Sequence, residues 1–241
     1  MALKYWGSAL RSTPRRRGLA AAPVKDVIAM YVGRIVAIGR TRAGTGAALY
    51  RVSSRSFPNR EAKVLPGAVA IVPKPGFEND IFKNPYIAYN CLRLLPAQGL
   101  AVATNGSHTD PLTEKLETGM APRDALVTVL AAMDYEHDHL KTPRIAAVVR
   151  ADGAAGWLGI VRHDAVLVRE FALQPGQAFY LCTYEKNAPC SSHCDPEFDA
   201  TTAADACARI MGRGVFAELE KPVSAVCAVA DAAGAFAFAT L

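Results

Sequence analysis

The order of strand-like and helix-like segments is the feature that most restricts how this chain can fold. Apolar segments rich in β-branched and aromatic residues lie at 31–40, 47–55, 68–73, 87–96 and 99–106, with glycine-containing turns between several of them. Because short turns join antiparallel neighbours, this half of the sequence predicts a series of hairpins.

The hydrophobic period then changes to that of helices. Thr109, Asp110 and Pro111 predict a helix start, Gly119 predicts its end, and a second helix is predicted from Ala121. The remaining predicted elements are a third helix at 201–213 and strands at 144–149, 157–162, 165–173, 178–184, 224–230 and 235–240. Antiparallel strands with clustered helices predict an α+β fold, and two sheets covered by helices predict a four-layer αββα sandwich.

The charge distribution separates a tail from the body of the chain. Residues 1–29 hold six basic residues against Asp26, which equals the whole net charge of +5. Of the 27 basic and 22 acidic residues, 21 of each remain from Met30 onward, and they balance. We therefore predict one domain over 30–241, without the basic signature of a nucleic-acid-binding protein and without an apolar run long enough to span a membrane.

Three hypotheses account for the tail at 1–29. It is a transit-type targeting segment, a basic arm for nucleic acid or membrane, or upstream sequence translated from a mis-assigned start codon. Because Met30 opens a strand-like segment, we favour the third hypothesis or a plain disordered extension.

The cysteines predict a compartment rather than a site. Six cysteines without a secretory signal indicate reduced thiols in a cytoplasmic protein. The segment CSSHC, with Cys190, His193 and Cys194, invites a zinc hypothesis, but it lacks a second ligand pair at the usual spacing. The sequence therefore predicts no metal site.

The segment RVSSRSFPNR, which begins at Arg51, is too polar for its apolar surroundings. As a strand ended by proline, it would place Arg51, Ser53 and Arg55 on one face, with Asn59 and Arg60 in the turn that follows. Guanidinium groups bind phosphate and carboxylate through paired hydrogen bonds, so this face predicts an anion site.

Three more polar clusters are KNPYIAYNC, TNGSHTD and AMDYEHDHLKTPR. Each also has a structural explanation: a turn leading into a helix cap for NGSHTD, an amphipathic core residue for Tyr89, and a solvated helix end for DYEHDHLK. The acids and histidines of the last cluster do not have the spacing of the H-E-x-x-H metal motif.

No nucleophile, phosphate-loop or dinucleotide motif is present, so the residues alone indicate a cofactor-free α+β enzyme and do not name its reaction. The strings YVGRIVAIGR, YRVSSRSFPNR, FKNPYIAYNC, TNGSHTD, AMDYEHD and TPRIAA, in this order, resemble the archaeal-type IMP cyclohydrolase family. The resemblance begins at about Met30, is dense to about Ala147, and continues more loosely to near the C-terminus.

The resemblance implies closure of 5-formamidoimidazole-4-carboxamide ribotide (FAICAR) to IMP with loss of water, the final step of de novo purine biosynthesis. It implies a fold like that of the N-terminal-nucleophile hydrolases, without self-processing, since Met30 and Tyr31 stand at the start of the first strand. It also points to Arg60, Tyr89 and Glu136 as catalytic residues. We expect Arg60 to stabilise the oxyanion, Tyr89 to donate or relay a proton and Glu136 to accept the amide proton.

The phosphate of a nucleotide substrate is the anion that we expect the strand face with Arg51, Ser53 and Arg55 to bind. We expect Arg51 or Arg55, with Ser53 or Ser54, to hold the phosphate. The predicted ring and ribose contacts are Asn59, Asn90, Asn105, Ser107, His108 and Arg144. We expect a homo-oligomeric cytoplasmic enzyme that acts on a small molecule, needs no metal or cofactor, and binds neither nucleic acid nor membrane.

Two other functions stay open. One is another amidohydrolase on the same scaffold, with Cys91 as its nucleophile. The other is a non-catalytic protein that binds purine nucleotides in the same pocket.

Overall fold

The computed structural model describes residues 30–241, so the hypotheses about 1–29 lie outside the described residues. The strands are β1 (Ile35–Arg40), β2 (Gly46–Ser53), β3 (Arg60–Leu65), β4 (Ala68–Pro73), β5 (Tyr89–Leu95), β6 (Leu100–Thr104), β7 (Arg144–Arg150), β8 (Ala155–Arg162), β9 (Ala165–Ala172), β10 (Gln177–Cys182), β11 (Cys194–Asp195), β12 (Pro222–Ala230) and β13 (Phe236–Thr240). The α-helices are α1 (Asp80–Lys83), α2 (Thr109–Glu117), α3 (Pro122–Met133) and α4 (Ala203–Gly212).

The named strands form two antiparallel sheets, which confirms the predicted α+β class. The six-stranded sheet has the order β11-β10-β1-β2-β12-β13, and the seven-stranded sheet runs from β3 to β9 in sequence order. The chain therefore starts in one sheet, builds the whole of the other, and returns to the first at β10.

Three apolar clusters hold these elements together. The first fills the space between the two sheets and includes Tyr50 and Ile145. The second joins the six-stranded sheet to α4, and the third joins the seven-stranded sheet to α2 and α3. Because each sheet has apolar side chains buried on both of its faces, this packing is compatible with the predicted sandwich.

Strand β2 illustrates how alternation divides side chains between the layers. Ala48, Tyr50 and Val52 belong to the cluster between the sheets, whereas Ala47 and Leu49 belong to the cluster against α4. Since side chains alternate along a strand, residues 51 and 53 face α4.

Several predicted boundaries need correction. β2 ends at Ser53, so Arg55 lies beyond the strand, and Arg60 is the first residue of β3 rather than part of a turn. β3, a charged strand at the edge of its sheet, was not predicted because its sequence, REAKVL, lacks the apolar alternation of a core strand.

The helix ends agree better with the predictions. Gly119 follows α2 with a φ of 86°, which suits glycine and ends the helix. α4 begins at a capping box formed by Thr202 and Asp205 and ends at Gly212. None of the helices in residues 30–241 is long and apolar enough to cross a membrane.

Candidate active site

The candidate site lies at one end of the stacked sheets. Tyr89 begins β5, Thr104 ends β6 and Arg144 begins β7. Because these three strands are antiparallel neighbours, the three positions fall at the same end of the sheet. Arg34, which precedes β1, joins them from the other sheet.

Glu136 is the centre of this cluster. Its carboxylate is fully buried, with Oε2 3.4 Å from Nη2 of Arg34 and Oε1 4.0 Å from Nη1 of Arg144. Its backbone N–H donates to Thr142 O at 2.8 Å. The Asp138 carboxylate accepts hydrogen bonds from the Thr142 N–H and hydroxyl at 2.9 and 2.7 Å, so the loop carrying Glu136 is closed on itself.

The environment of Glu136 prepares it to exchange a proton near neutral pH. Burial raises the pKa of its carboxyl, the positive charges of Arg34 and Arg144 work against this, and the resulting pKa is about 7. A carboxylate of this kind has the proton affinity expected of a general base at neutral pH.

Arg34 is a site residue that the sequence analysis missed. Burial alone would lower the pKa of its guanidinium, but the attraction of Glu136, followed by that of Tyr89 and Tyr50, outweighs burial and raises it. Arg34 therefore carries a fixed positive charge inside the site. The available signal was an arginine within the otherwise apolar string YVGRIVAIG.

Arg60 and Tyr89 face the same interior space. In the β-ladder, Arg60 pairs with Pro73 and Tyr89 pairs with Ile71 two residues earlier, so both side chains point to one face of the sheet. Burial lowers the pKa of Arg60, and the nearby Tyr89 works in the opposite direction. The Arg60 Nε–H donates to Phe57 O at 3.0 Å, which fixes the guanidinium.

His108 is buried and neutral. Its pKa is lowered to about 3, first by burial and then by the charge of Arg144. Nε2 lies 3.0 Å from Ile145 O, and a carbonyl accepts only, so Nε2 carries the hydrogen and Nδ1 has a free lone pair. Gly106 makes room here, since a Cβ on it would lie 2.6 Å from Arg144 Nη1 and 3.2 Å from His108 Nδ1.

Unpartnered polar atoms concentrate in this cluster. Among the described residues, seven buried side-chain polar atoms have no hydrogen-bond partner, and all but one of them, Arg93 Nε, belong to the site. The site atoms are Arg34 Nε, Arg60 Nη1, His108 Nδ1, Glu136 Oε1, and Nε and Nη1 of Arg144. Buried polar groups normally have partners, so this set suits a polar ligand with both donors and acceptors.

The structure does not bring Arg51 and Ser53 into this site. Arg51 is fully buried on the α4 side of its sheet, where it donates to Ser53 Oγ, Ile210 O, Leu219 O and Glu220 O. Its hydrogen bonds tie β2 to the end of α4 and to the segment that follows. This arginine is polar and buried because it satisfies backbone carbonyls, which a sequence pattern does not reveal.

Arg55 lies at the exposed rim, where it forms an ion pair with Glu220 and stacks over the Tyr31 ring at 4.4 Å. Tyr31 stacks on Tyr184, with 5.7 Å between ring centroids. The Tyr184 hydroxyl is 3.0 Å from Thr142 Oγ1. This chain of contacts connects Arg55 with the loop that carries Glu136.

The other predicted contacts are divided between roles. Ser54 Oγ accepts from the Phe57 N–H at 2.9 Å and shapes the loop before β3. Asn105 is fully buried and pins β7, because its side chain donates to Pro143 O and accepts from the Ile145 N–H. Asn90 donates to both oxygens of Asp110.

Two predicted residues have few interactions of their own. Ser107 is exposed, next to His108, and Asn59 is half-buried, with its carbonyl accepting from the Lys74 N–H at 3.0 Å. Neither makes a side-chain hydrogen bond within the described residues.

A cleft of about 930 Å³ lies at the opposite end of the sheets, between the β1–β2, β5–β6, β7–β8 and β12–β13 turns. None of the unpartnered buried atoms lines it, so it does not compete with the cluster around Glu136 as the candidate site.

The CSSHC segment has ordinary interactions. Ring nitrogen Nδ1 of His193 donates to Ala188 O at 3.0 Å, and its ring stacks on Tyr180. Within residues 30–241, no group of three or more His, Cys, Asp and Glu side chains is placed to hold a metal ion.

The fold and site define a class of protein: an α+β enzyme whose buried carboxylate, guanidinium groups and phenol suit acid–base chemistry on a polar small molecule. Comparison with known sequences is more specific. The family model described as IMP cyclohydrolase-like protein matches residues 31–234, and this chain belongs to that family.

Curated relatives named IMP cyclohydrolase match over most of their length. The protein from Methanosphaera stadtmanae is 44% identical over 199 residues, covering 83% of this chain and 94% of the relative. The protein from Methanocaldococcus jannaschii is 43% identical over 206 residues, covering 85% and 96%. The protein from Halobacterium salinarum is 50% identical over 177 residues, covering 73% and 82%.

Proposed function

We propose that this chain is an IMP cyclohydrolase, which closes FAICAR to IMP with loss of water. The observation that carries the proposal is its 43–50% identity to three relatives of that name, across 82–96% of their length. The cluster around Glu136 supplies the groups that this reaction requires.

The reaction is intramolecular. The carboxamide nitrogen attacks the adjacent formyl carbon, and the formyl oxygen leaves as water. One hydrogen of that water comes from the carboxamide nitrogen and the other from the formamido nitrogen. Because the reacting atoms are already tethered, the enzyme mainly holds the reactive conformation and moves two protons from nitrogen to oxygen.

We assign the base to Glu136. A carboxylate with a pKa of about 7 can take a proton from nitrogen and return it to oxygen within one turnover. Arg34 and Arg144, on either side of it, orient the carboxylate and keep part of it ionised at neutral pH.

We assign stabilisation of the formyl oxygen to Arg60 and Tyr89. Arg60 Nη1 has no protein partner among the described residues and can donate to an oxyanion. Tyr89 faces the same interior space, and its hydroxyl can donate a hydrogen bond to the departing oxygen.

Arg144 and His108 supply the polar groups of the pocket that would face the substrate's imidazole ring and carboxamide. Arg144 offers two unpartnered donors, whereas His108 Nδ1 offers an unpartnered acceptor. An amide group, which has both an acceptor oxygen and donor hydrogens, complements this pair.

We assign the phosphate to the rim around Arg55. Ser54 and Asn59 are close to Arg55 in the sequence, and Ser107 is next to His108 of the candidate site. Arg55 is exposed and its guanidinium can exchange Glu220 for a phosphate dianion. The phosphate would then stay in solvent while the imidazole ring reaches the buried end of the pocket.

We further infer that the two sheets and their helices are the αββα sandwich of the N-terminal-nucleophile hydrolases, used without a nucleophile or self-processing. We also infer a homo-oligomeric, cytoplasmic enzyme. The antiparallel sheets and the three apolar clusters support the fold inference, because they allow one helical layer outside each sheet.

The amidohydrolase alternative is less well supported. Cys91 is fully buried, its thiol donates to Val69 O at 3.3 Å, and burial raises the pKa of that thiol. A thiol in this environment is a weak nucleophile.

The test uses the full chain, freed of metal by a chelator, with FAICAR as substrate and IMP formation followed by absorbance. Saturable turnover is expected, and Glu136→Gln should lower kcat about 10²–10⁴-fold. Tight IMP binding without turnover would instead identify a non-catalytic nucleotide-binding protein. Loss of all activity on thiol alkylation, with protection by substrate, would favour the amidohydrolase.

A further inference from the structure

Tyr50 and Tyr89 form a hydrogen bond between the two sheets. Tyr50 lies in β2 and Tyr89 is the first residue of β5, and their hydroxyl oxygens are 2.6 Å apart. Their rings meet edge to face, with centroids 6.4 Å apart. The contact therefore fixes the Tyr89 hydroxyl, which lies in the candidate site, from the opposite sheet.

The surroundings of the pair set the direction of this hydrogen bond. Tyr50 is fully buried in the cluster between the sheets, and within residues 30–241 its hydroxyl has Tyr89 as its one partner. If Tyr89 were the donor, the Tyr50 hydrogen would be buried without an acceptor, which is costly. Tyr50 therefore donates, and Tyr89 accepts.

This direction leaves the hydrogen of Tyr89 available. Tyr89 makes no second hydrogen bond among the described residues. The guanidinium groups of Arg34 and Arg60, which act electrostatically on both phenols, carry donors only and cannot accept it. Burial raises the pKa of Tyr50 well above its ordinary value, so Tyr50 keeps its own proton.

We propose that Tyr50 is a positioning residue, whose hydrogen bond occupies a lone pair of the Tyr89 oxygen and aims the Tyr89 O–H at the formyl oxygen of the substrate. The proposal rests on the cyclohydrolase function. As the carboxamide nitrogen bonds to the formyl carbon, Tyr89 donates a hydrogen bond to the formyl oxygen and keeps its own proton. The bond between the formyl carbon and that oxygen then breaks, and the oxygen leaves as water with one proton from each of the two nitrogens. The Tyr50 proton stays on its own oxygen throughout.

The test is a double-mutant cycle on the full chain, with kcat and KM for FAICAR measured for wild type, Tyr50→Phe, Tyr89→Phe and the double variant. Tyr50→Phe removes one oxygen atom and should lower kcat about tenfold, with KM within about twofold. Because Tyr50 acts through Tyr89, the double variant should match Tyr89→Phe.

Tyr180→Phe is the matched control. Tyr180 is also a buried tyrosine of the six-stranded sheet, and its hydroxyl accepts from Lys186 Nζ at 2.7 Å on the α4 side. Its removal should cost stability in thermal unfolding and leave kcat unchanged.

Three results would overturn the proposal. The first is a Tyr50→Phe variant with wild-type kcat, and the second is a double variant whose loss of kcat is the product of the two single losses. The third is a Tyr180→Phe variant that loses as much kcat as Tyr50→Phe. Failure of the proposed function gives a different result, because the wild-type chain would then form no IMP at all, and the role of Tyr50 would fall with it.

Discussion

Arg34 and Glu136 form a buried ion pair between Nη2 and Oε2, at 3.4 Å, although 102 positions separate them in the sequence. Arg34 precedes the first strand of one sheet, and Glu136 follows α3, which packs on the other. The pair therefore joins the two halves of the molecule at the point where the proposed chemistry takes place.

Replacing Arg34 should change the pH dependence of the reaction. Arg34 lowers the pKa of Glu136 against the effect of burial, so Arg34→Met should raise that pKa above about 7. The acid limb of the profile of kcat/KM against pH should then move upward by about one pH unit. Activity lost at pH 7 should return at higher pH.

Arg34→Lys is the control for that experiment, since it keeps the charge. Its profile should stay close to that of the wild type. An unchanged profile in Arg34→Met would show that Arg34 does not act on the base.

Wild-type activity should itself fall on acidification through about pH 7. Glu136 works as the ionised base, and its carboxyl has a pKa of about 7, so protonation below that pH removes the active form. Glu136→Gln should lose about 10²–10⁴-fold in kcat and show no remaining limb in this range. A wild-type profile flat from pH 5 to 8 would contradict the assignment of Glu136.

Gly106→Ala should damage the site by steric contact alone. The φ of Gly106 is not positive, so alanine fits the backbone, but its Cβ would lie 2.6 Å from Arg144 Nη1. Displacing this guanidinium should lower kcat/KM about tenfold or more. Gly212→Ala, whose Cβ meets nothing within 4 Å, is the matched control and should keep wild-type kinetics.

Arg51→Met should affect stability rather than chemistry. The variant leaves the buried carbonyls of Ile210 and Leu219, the partly buried carbonyl of Glu220 and Ser53 Oγ without their donor, which should lower the free energy of unfolding by about 3 kcal/mol. Chemical denaturation measures this loss, and the folded fraction should keep the wild-type KM. A large rise in KM with unchanged stability would instead show that Arg51 binds the phosphate, as the sequence analysis expected.

Arg55→Ala should affect substrate binding rather than stability, the reverse of the result expected for Arg51→Met. Arg55 is exposed at the rim, so its removal should leave the unfolding midpoint nearly unchanged. If Arg55 binds the phosphate, KM should rise about tenfold while kcat changes little, since the phosphate is remote from the bond that forms. Steady-state kinetics with FAICAR decides between this result and an unaltered KM.

The polar strings contain most residues of the candidate site, because polar side chains interrupt apolar patterns, and the family resemblance supplied their predicted roles. Arg60, Tyr89, Glu136, His108 and Arg144 all come from such strings, and all lie in or beside the buried cluster. Arg34 and Tyr50 were missed, since one arginine or tyrosine in an apolar strand has the same pattern whether it supports a site or a core.

The sequence by itself determined the α+β class, most of the strands and the positions of the three longer helices. Period, glycine turns and caps are local signals, and they depend on neighbours in the chain. It also determined, through long shared strings, the family to which the chain belongs.

Only the tertiary structure decided which face each polar residue occupies and what it meets there. Arg51 and Tyr50 are neighbours in β2, yet one ties down α4 and the other supports Tyr89 across the sheet interface. The physical reason is that alternation sends adjacent side chains to opposite layers, and the partners of each come from segments far away in the chain.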